Sequence, residues 1–296
     1  MASHRVLVAD PISEHGVTLL NDHPDITADF IPDLGSQPDK LLEIIGDYDA
    51  LIVRSQTKPN AEVIARASRL RAIGRAGVGV DNIDREAASA HGVIVMNTPT
   101  GNTVSTAEHA FALMLATARN IAPAHAGVLA GDFKNSRKAF SGIEMNGKRL
   151  AVIGMGRIGS EFVKRAQGFN MKVVAFDPFL TQARADELKI ELADSPDAVL
   201  DGADVVTLHV PLTDDTRHII NAERLALMNK GGLIVNCARG GLIDENALKA
   251  AIDTGHIAGC ALDVYENEPP SPDHPLFACE KHVAFTPHLG ASTAEA

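Results

Sequence analysis

The chain has no tryptophan and only two tyrosines among 296 residues, and aromatic residues make up just 4%. A core without large rings has to be built from Val, Ile, Leu and Ala, as buried parallel sheets usually are. Cysteine is scarce too. Cys237, Cys260 and Cys279 form no CxxC pair and leave an odd count, which speaks against a disulfide framework and for a reducing, cytoplasmic setting. Basic residues are outnumbered, 27 Lys and Arg against 38 Asp and Glu, for a net charge of −11. Non-specific nucleic-acid binding needs a basic footprint and is excluded on that ground, whereas a small anionic substrate needs only a few local cations. No apolar run approaches a membrane span and the N-terminus has no apolar signal core, so no membrane partner is expected. No metal site is expected either.

Hydrophobic residues at 45% and charged residues at 22% are sufficient for ordinary globular cores. The length suggests two domains or one large α/β domain. Short β-rich runs alternate with helical patterns. The first half offers strands at Arg5–Asp10, Ala50–Val53, Arg71–Arg75 and Val93–Asn97, separated by helices at Pro38–Gly46, Asn60–Ala67 and Ile83–His91. The second half restarts with strands at Arg149–Gly154, Lys172–Asp177, Asp204–Val210, Leu233–Cys237, Ile257–Val264 and Val283–Thr286. This rhythm predicts βαβ units and parallel sheets. Ser195-Pro196 reads as a helix start, and Gly46, Gly92, Gly202 and Gly255 as helix ends. Thr103–Asn120 breaks the rhythm with a long helix, apolar on most faces, which is expected to bury them at an interface.

The strongest local motif is Gly154-Met155-Gly156-Arg157-Ile158-Gly159, set between a predicted strand and a predicted helix. The first glycine permits a tight turn, the second lets the backbone approach a pyrophosphate, and the third lets helix and strand pack closely. The helix N-terminus offers N–H groups and a positive dipole end to phosphates. Asp177 ends the next strand, where a carboxylate accepts hydrogen bonds from the adenosine ribose and repels a 2′-phosphate. The predicted cofactor is therefore NAD rather than NADP.

Moving a hydride off an alcohol carbon requires a base for the hydroxyl proton, and a carboxylate substrate requires a cation. Arg239, Glu268 and His288 all follow predicted strand ends, where open α/β sheets place their ligands. His288 is expected to take the proton. Glu268 pairs with it and raises its pKa, and Arg239 grips the carboxylate in a fork.

Gly154–Gly159, Asn236–Gly241, Asp263–Pro269 and Thr286–Ser292 resemble the D-isomer-specific 2-hydroxyacid dehydrogenases. In the first half, Val53–Ser55, Gly74–Asp84 and Asn97–Asn102 resemble that family's phosphoglycerate branch. The resemblance covers essentially the whole chain. It implies an α/β fold of two Rossmann-like domains with parallel sheets: a nucleotide domain at 98–288 inserted into a discontinuous substrate domain formed by 1–97 and 289–296, with a helix beginning after His288. In relatives that helix runs back to the substrate domain, so the stop at Ala296 suggests either a truncated chain or an incompletely covered one. Arg239, Glu268 and His288 match the family's catalytic positions. Arg157 and Ile158 match pyrophosphate contacts, and Val210, Pro211, Cys237, Ala238 and Asp263 line the nicotinamide side. His288, Gly290 and Ala291 also border the cofactor.

Arg54, Ser55, Arg75, Val78, Gly79 and Asn102 match residues around the substrate, and two arginines there suit a phosphate. Val78 stands where some long-form relatives carry Thr, so a side-chain hydroxyl is missing. The implied reaction is NAD-dependent oxidation of D-3-phosphoglycerate to 3-phosphohydroxypyruvate, the first step toward L-serine, by a homodimer or higher homo-oligomer. Another D-2-hydroxyacid, with glyoxylate or hydroxypyruvate as the keto acid, is the alternative substrate. An NAD-sensing corepressor-like binding protein is the alternative from outside enzymes, and steady NADH production would dismiss it.

Overall fold

The computed structural model describes residues 4–296. Its strands are β1 (His4–Val8), β2 (Ile26–Phe30), β3 (Ala50–Val53), β4 (Ala72–Arg75), β5 (Ile94–Asn97), β6 (Arg149–Ile153), β7 (Lys172–Phe176), β8 (Glu191–Leu192), β9 (Val205–Leu208), β10 (Gly232–Asn236), β11 (Ile257–Leu262) and β12 (Val283–Phe285). They form two parallel sheets. The chain divides into two compact units, one ending at Asn102 and the other running from Thr103 to Ala296.

In the first unit the strand order is β2-β1-β3-β4-β5, the flavodoxin-like doubly wound order. Leu7, Leu51, Val53 and Ile73 are completely buried, so aliphatic side chains fill this core as the composition requires. Flanking helices start where side chains cap them. Ser13, Asn60 and Asp84 accept hydrogen bonds from the N–H groups of Gly16, Val63 and Ala87. β2 was not anticipated. It is a five-residue edge strand with no fully buried residue, and its Asp29 is held by Arg5 at 2.7 Å and by the Tyr48 hydroxyl at 2.9 Å. The Arg5 guanidinium also lies over the Tyr48 ring, 4.5 Å from its centre. Arg5 keeps the Asp29 carboxyl below the usual range, while burial, aided by Asp29, pushes the Tyr48 phenol up to about 12.

The second unit orders its strands β8-β7-β6-β9-β10-β11-β12, the 3-2-1-4-5-6 order of dinucleotide-binding sheets with one strand added at the far edge. Successive strands are added on opposite sides of β6, and the order switches between β6 and β9, so the crevice at their carboxyl ends lies directly above the glycine motif. The helix Thr103–Ala118 serves as core here. Ala107, Ala110, Phe111 and Met114 are buried within the unit, and Phe111 meets Phe162 of the helix Arg157–Gly168 edge-to-face at 5.5 Å. Much of its apolar surface is therefore buried inside its own unit, while Val104 near its start stays exposed. Among the described residues, no helix is long and apolar enough to cross a membrane.

Ser195 caps its helix through the Ala198 N–H, and Gly92, Gly202 and Gly255 have the positive φ expected of helix ends. Gly46 instead lies within a 3-10 turn at Ile45–Asp47. By contacts within the chain, the first unit ends at Asn102 and residues 289–296 fall in the second. They form turns rather than a helix, because the Leu289 and Gly290 N–H groups donate to Asp263 and the Gly290 carbonyl accepts from Thr106.

Candidate active site

The loop after β6 is built around its glycines. Gly154 has φ +97°, and a side chain there would collide with the His209 carbonyl oxygen at 2.6 Å. A Cβ on Gly159 would sit 2.1 Å from the Gly154 oxygen. Gly156 differs, since a Cβ there would meet nothing within 4 Å. The fold itself demands the outer two glycines, and the open space over the middle one is where a pyrophosphate requires bare backbone. Asp177 is oriented by the same loop, its Oδ2 accepting from Met155 N–H at 2.7 Å and its Oδ1 from Phe179 N–H at 2.8 Å. Each carboxylate oxygen accepts more than one bond, so capacity remains for ribose hydroxyls. These residues fit an NAD.

Val210 and Pro211 follow β9, and Cys237 and Ala238 follow β10, on the same edge of the sheet. Cys237 is buried. Burial first, and the Asp263 charge second, push its thiol well above the usual range, so it is a neutral, apolar wall. Arg239 comes next, its loop shaped by Asn236: Nδ2 donates to the Arg239 carbonyl at 2.8 Å and Oδ1 accepts from Ala238 N–H at 3.0 Å.

Across this edge, Glu268 and His288 are 20 residues apart in sequence and bonded in space, His288 Nδ1 to Glu268 Oε2 at 2.8 Å. The other Glu268 oxygen accepts from Tyr265 N–H at 3.2 Å. With Nδ1–H donating to the carboxylate, Nε2 is left to exchange a proton. The bond to Glu268 raises the His288 pKa, and the Glu268 and Asp263 charges add to it. Burial and the Arg239 charge pull the other way. For Glu268 burial is the largest single influence and acts upward, yet the bond and charge of His288 and the Tyr265 N–H outweigh it and hold the carboxyl below its usual range.

His288 has φ +58°, a left-handed backbone that non-glycine residues seldom adopt. Asp263 holds it there. This buried carboxylate takes His109 Nε2 at 3.2 Å, the Thr286 hydroxyl at 2.6 Å and Leu289 N–H at 2.7 Å on Oδ1, and Gly290 N–H at 2.8 Å on Oδ2. Burial alone would raise its pKa, but these donors hold it below the usual range. Tyr265 adds a bond from its hydroxyl to the Thr286 carbonyl at 3.1 Å. Thr286 stood in a recognised motif without a role. His109 and Thr106 carried no signal in sequence, because their partners lie 154 and 184 residues away.

In the first unit, Arg54 and Ser55 follow β3 and are exposed, Arg75 ends β4, and Val78 and Gly79 lie in the loop after it. The Arg75 guanidinium folds over Gly77, where a Cβ would come within 2.1 Å of Nη1. Asn97, at the end of β5, donates to the Val78 carbonyl at 2.6 Å. Asn102 closes the unit. The structure thus places the anticipated residues of this unit at the carboxyl ends of the neighbouring strands β3 and β4 and at its C-terminal end.

Comparison with known proteins agrees with this geometry. Residues 111–290 match the model of the D-isomer specific 2-hydroxyacid dehydrogenase NAD binding domain. The chain is 49% identical to a D-3-phosphoglycerate dehydrogenase of Methanocaldococcus jannaschii over 292 residues, 99% of this chain and 54% of that protein. It spans about half the length of the curated relatives it matches. Among solved structures, a protein of Thermus thermophilus superposes with a TM-score of 0.89 at 35% identity, covering 98% of this chain and 90% of that one. A glyoxylate reductase from Paecilomyes thermophila superposes with a TM-score of 0.85 at 32% identity, covering 100% and 91%. The chain belongs to the D-isomer specific 2-hydroxyacid dehydrogenase family and carries that family's NAD binding domain.

Proposed function

We propose that the chain oxidises D-3-phosphoglycerate to 3-phosphohydroxypyruvate, with His288 as base. The observation that carries the chemistry is the 2.8 Å bond between His288 and Glu268 at the strand-end edge that bears the glycine loop. NAD, when bound, accepts the hydride from C2. His288 Nε2 takes the hydroxyl proton during oxidation and returns it during reduction, and Glu268 stabilises the imidazolium formed. Arg239 binds the substrate carboxylate in a fork and polarises the carbonyl forming at C2. Gly154–Gly159 and Asp177 hold the nucleotide, with Val210, Pro211, Cys237 and Ala238 on the nicotinamide side. Asp263 fixes the turn at His288.

The substrate assignment is supported by Arg54 and Arg75 in the first unit and by curated relatives named D-3-phosphoglycerate dehydrogenase. Structural likeness to a glyoxylate reductase favours a second reading, an unphosphorylated 2-hydroxyacid. A kinetic panel of 3-phosphoglycerate, D-glycerate and D-lactate with NAD and NADP decides between them, and preference for D-glycerate over its phosphate would sink the first. Homodimerisation, supported by the exposed side chains of Ile121, Val128, Leu129 and Phe133, is checked by light scattering.

A further inference from the structure

The loop that carries Arg54 is held from two sides inside the first unit. Asp10, completely buried just after β1, accepts the Arg54 N–H on Oδ2 at 2.6 Å and the Thr57 hydroxyl on Oδ1 at 2.6 Å. The Thr57 N–H lies 3.1 Å from both carboxylate oxygens. From the other side, Asn82 Nδ2 donates to the Arg54 carbonyl at 2.8 Å and to the Thr57 carbonyl at 2.7 Å. Those two bonds use both hydrogens of the amide. Asn82 Oδ1, by contrast, is buried without a hydrogen-bond partner. An amide kept in place with an unmet oxygen is there for its donors.

Residues 54 and 57 are thus fixed through both N–H and C=O, and only Ser55 and Gln56 between them stand exposed. A buried carboxylate and a half-buried amide thus converge on four backbone groups, and this fixes the point from which the Arg54 side chain extends. Arg54 Nη1 also reaches the Pro11 carbonyl at 3.4 Å, so the turn bearing Asp10 touches the guanidinium as well.

We propose that Asp10, Thr57 and Asn82 are positioning residues that set the direction of the Arg54 guanidinium and thereby the preference for a phosphorylated 2-hydroxyacid. This rests on the reading of Arg54 as a phosphate ligand. A guanidinium matches phosphate through two parallel bonds, so its angle matters as much as its charge. Misplacing such a group by about 1 Å costs up to about 100-fold in kcat/KM.

The test is steady-state kinetics of Asn82→Ala and Thr57→Val, with Thr57→Ser as the conservative variant and Arg54→Ala as the reference. The KM for 3-phosphoglycerate should rise roughly 10-fold in the first two, with kcat and the KM for NAD unchanged. Thr57→Ser keeps the hydroxyl and should restore the wild-type KM. Asn82→Ala added to Arg54→Ala should give no further rise, because both remove one interaction. If Arg54→Ala raises this KM while Asn82→Ala and Thr57→Val do not, the positioning role is overturned and the phosphate reading stands. Equal losses in kcat and both KM values would also overturn it, as the mark of general structural damage. If Arg54→Ala itself leaves the KM unchanged, the phosphate reading falls and takes the positioning role with it. Should Asn82→Ala not fold, Asn82→Ser removes the same two bonds with a smaller change in shape.

Discussion

Replacing Glu268 by Gln keeps the shape of the side chain beside His288 and removes its charge. The bond is 2.8 Å long, and the two side chains are 48% and 38% exposed. An exposed ion pair contributes at most about 1 kcal/mol, and a hydrogen bond to a charged group about 1.5–3 kcal/mol. A pair this open belongs where those ranges meet, at about 1–2 kcal/mol, which is roughly 5- to 30-fold in rate. The direction with pH follows from which form of His288 is used. Glu268 stabilises the imidazolium, so in the native chain the proton leaves at a higher pH than from a free imidazole. Oxidation needs the deprotonated ring and is lost as pH falls through that raised value. In Glu268→Gln the acid limb moves to lower pH. The plateau drops by the factor above, because the proton arriving at Nε2 is no longer balanced by a carboxylate. Reduction needs the imidazolium, and its basic limb moves the same way. NADH absorbance followed in both directions from about pH 5 to 10 reads both limbs. A limb that stays in place, with an unchanged plateau, would refute the pairing as the source of the base.

Asp263→Ala leaves four donors around one buried site without an acceptor and should cost about 3 kcal/mol or more of stability in urea unfolding at neutral pH. A loss under about 1 kcal/mol would show that the network does not hold the His288 turn. Because the folded pKa of Asp263 is depressed, its contribution is full above the unfolded carboxylate range near 4 and is lost as pH falls through the folded value. Asp263→Ala should therefore flatten part of the acid unfolding curve. Gly156→Ala meets no atom within 4 Å, so its melting temperature should stay near wild type while the Kd for NAD, measured by calorimetry, rises about 10-fold or more. Unchanged NAD binding would mean that the open space over Gly156 is not the pyrophosphate site.

Local structure was legible in the sequence where its signals were contiguous. The glycine loop, its preceding strand and its following helix span some 20 residues, and each local preference agreed with the others. Most strand ends fell within a residue or two of prediction, because aliphatic runs bounded by glycine and proline are local signals. β2 escaped because it is a short edge strand with no fully buried residue, and the group that holds its Asp29 lies 24 residues away in Arg5. β8 has two residues, too few for any periodicity. The pairing of Glu268 with His288 was legible only through their chemistry taken together. The grip of the Thr103–Ala118 helix on the His288 turn was not legible at all, since nothing in the spelling of a core helix says that Thr106 and His109 reach across to residues 263 and 290.

The two tyrosines set an alkaline limit for this chain. Burial first, then the bond to Asp29 for Tyr48 and the Asp263 charge for Tyr265, push both phenols up to about 12 while the fold persists. In the unfolded chain they ionise near 10. Between those values unfolding releases up to two protons, so every step upward in pH draws the equilibrium toward the open chain. With one phenol in each unit and no indole to mask them, the growth of tyrosinate absorbance over that interval is itself a record of each unit unfolding.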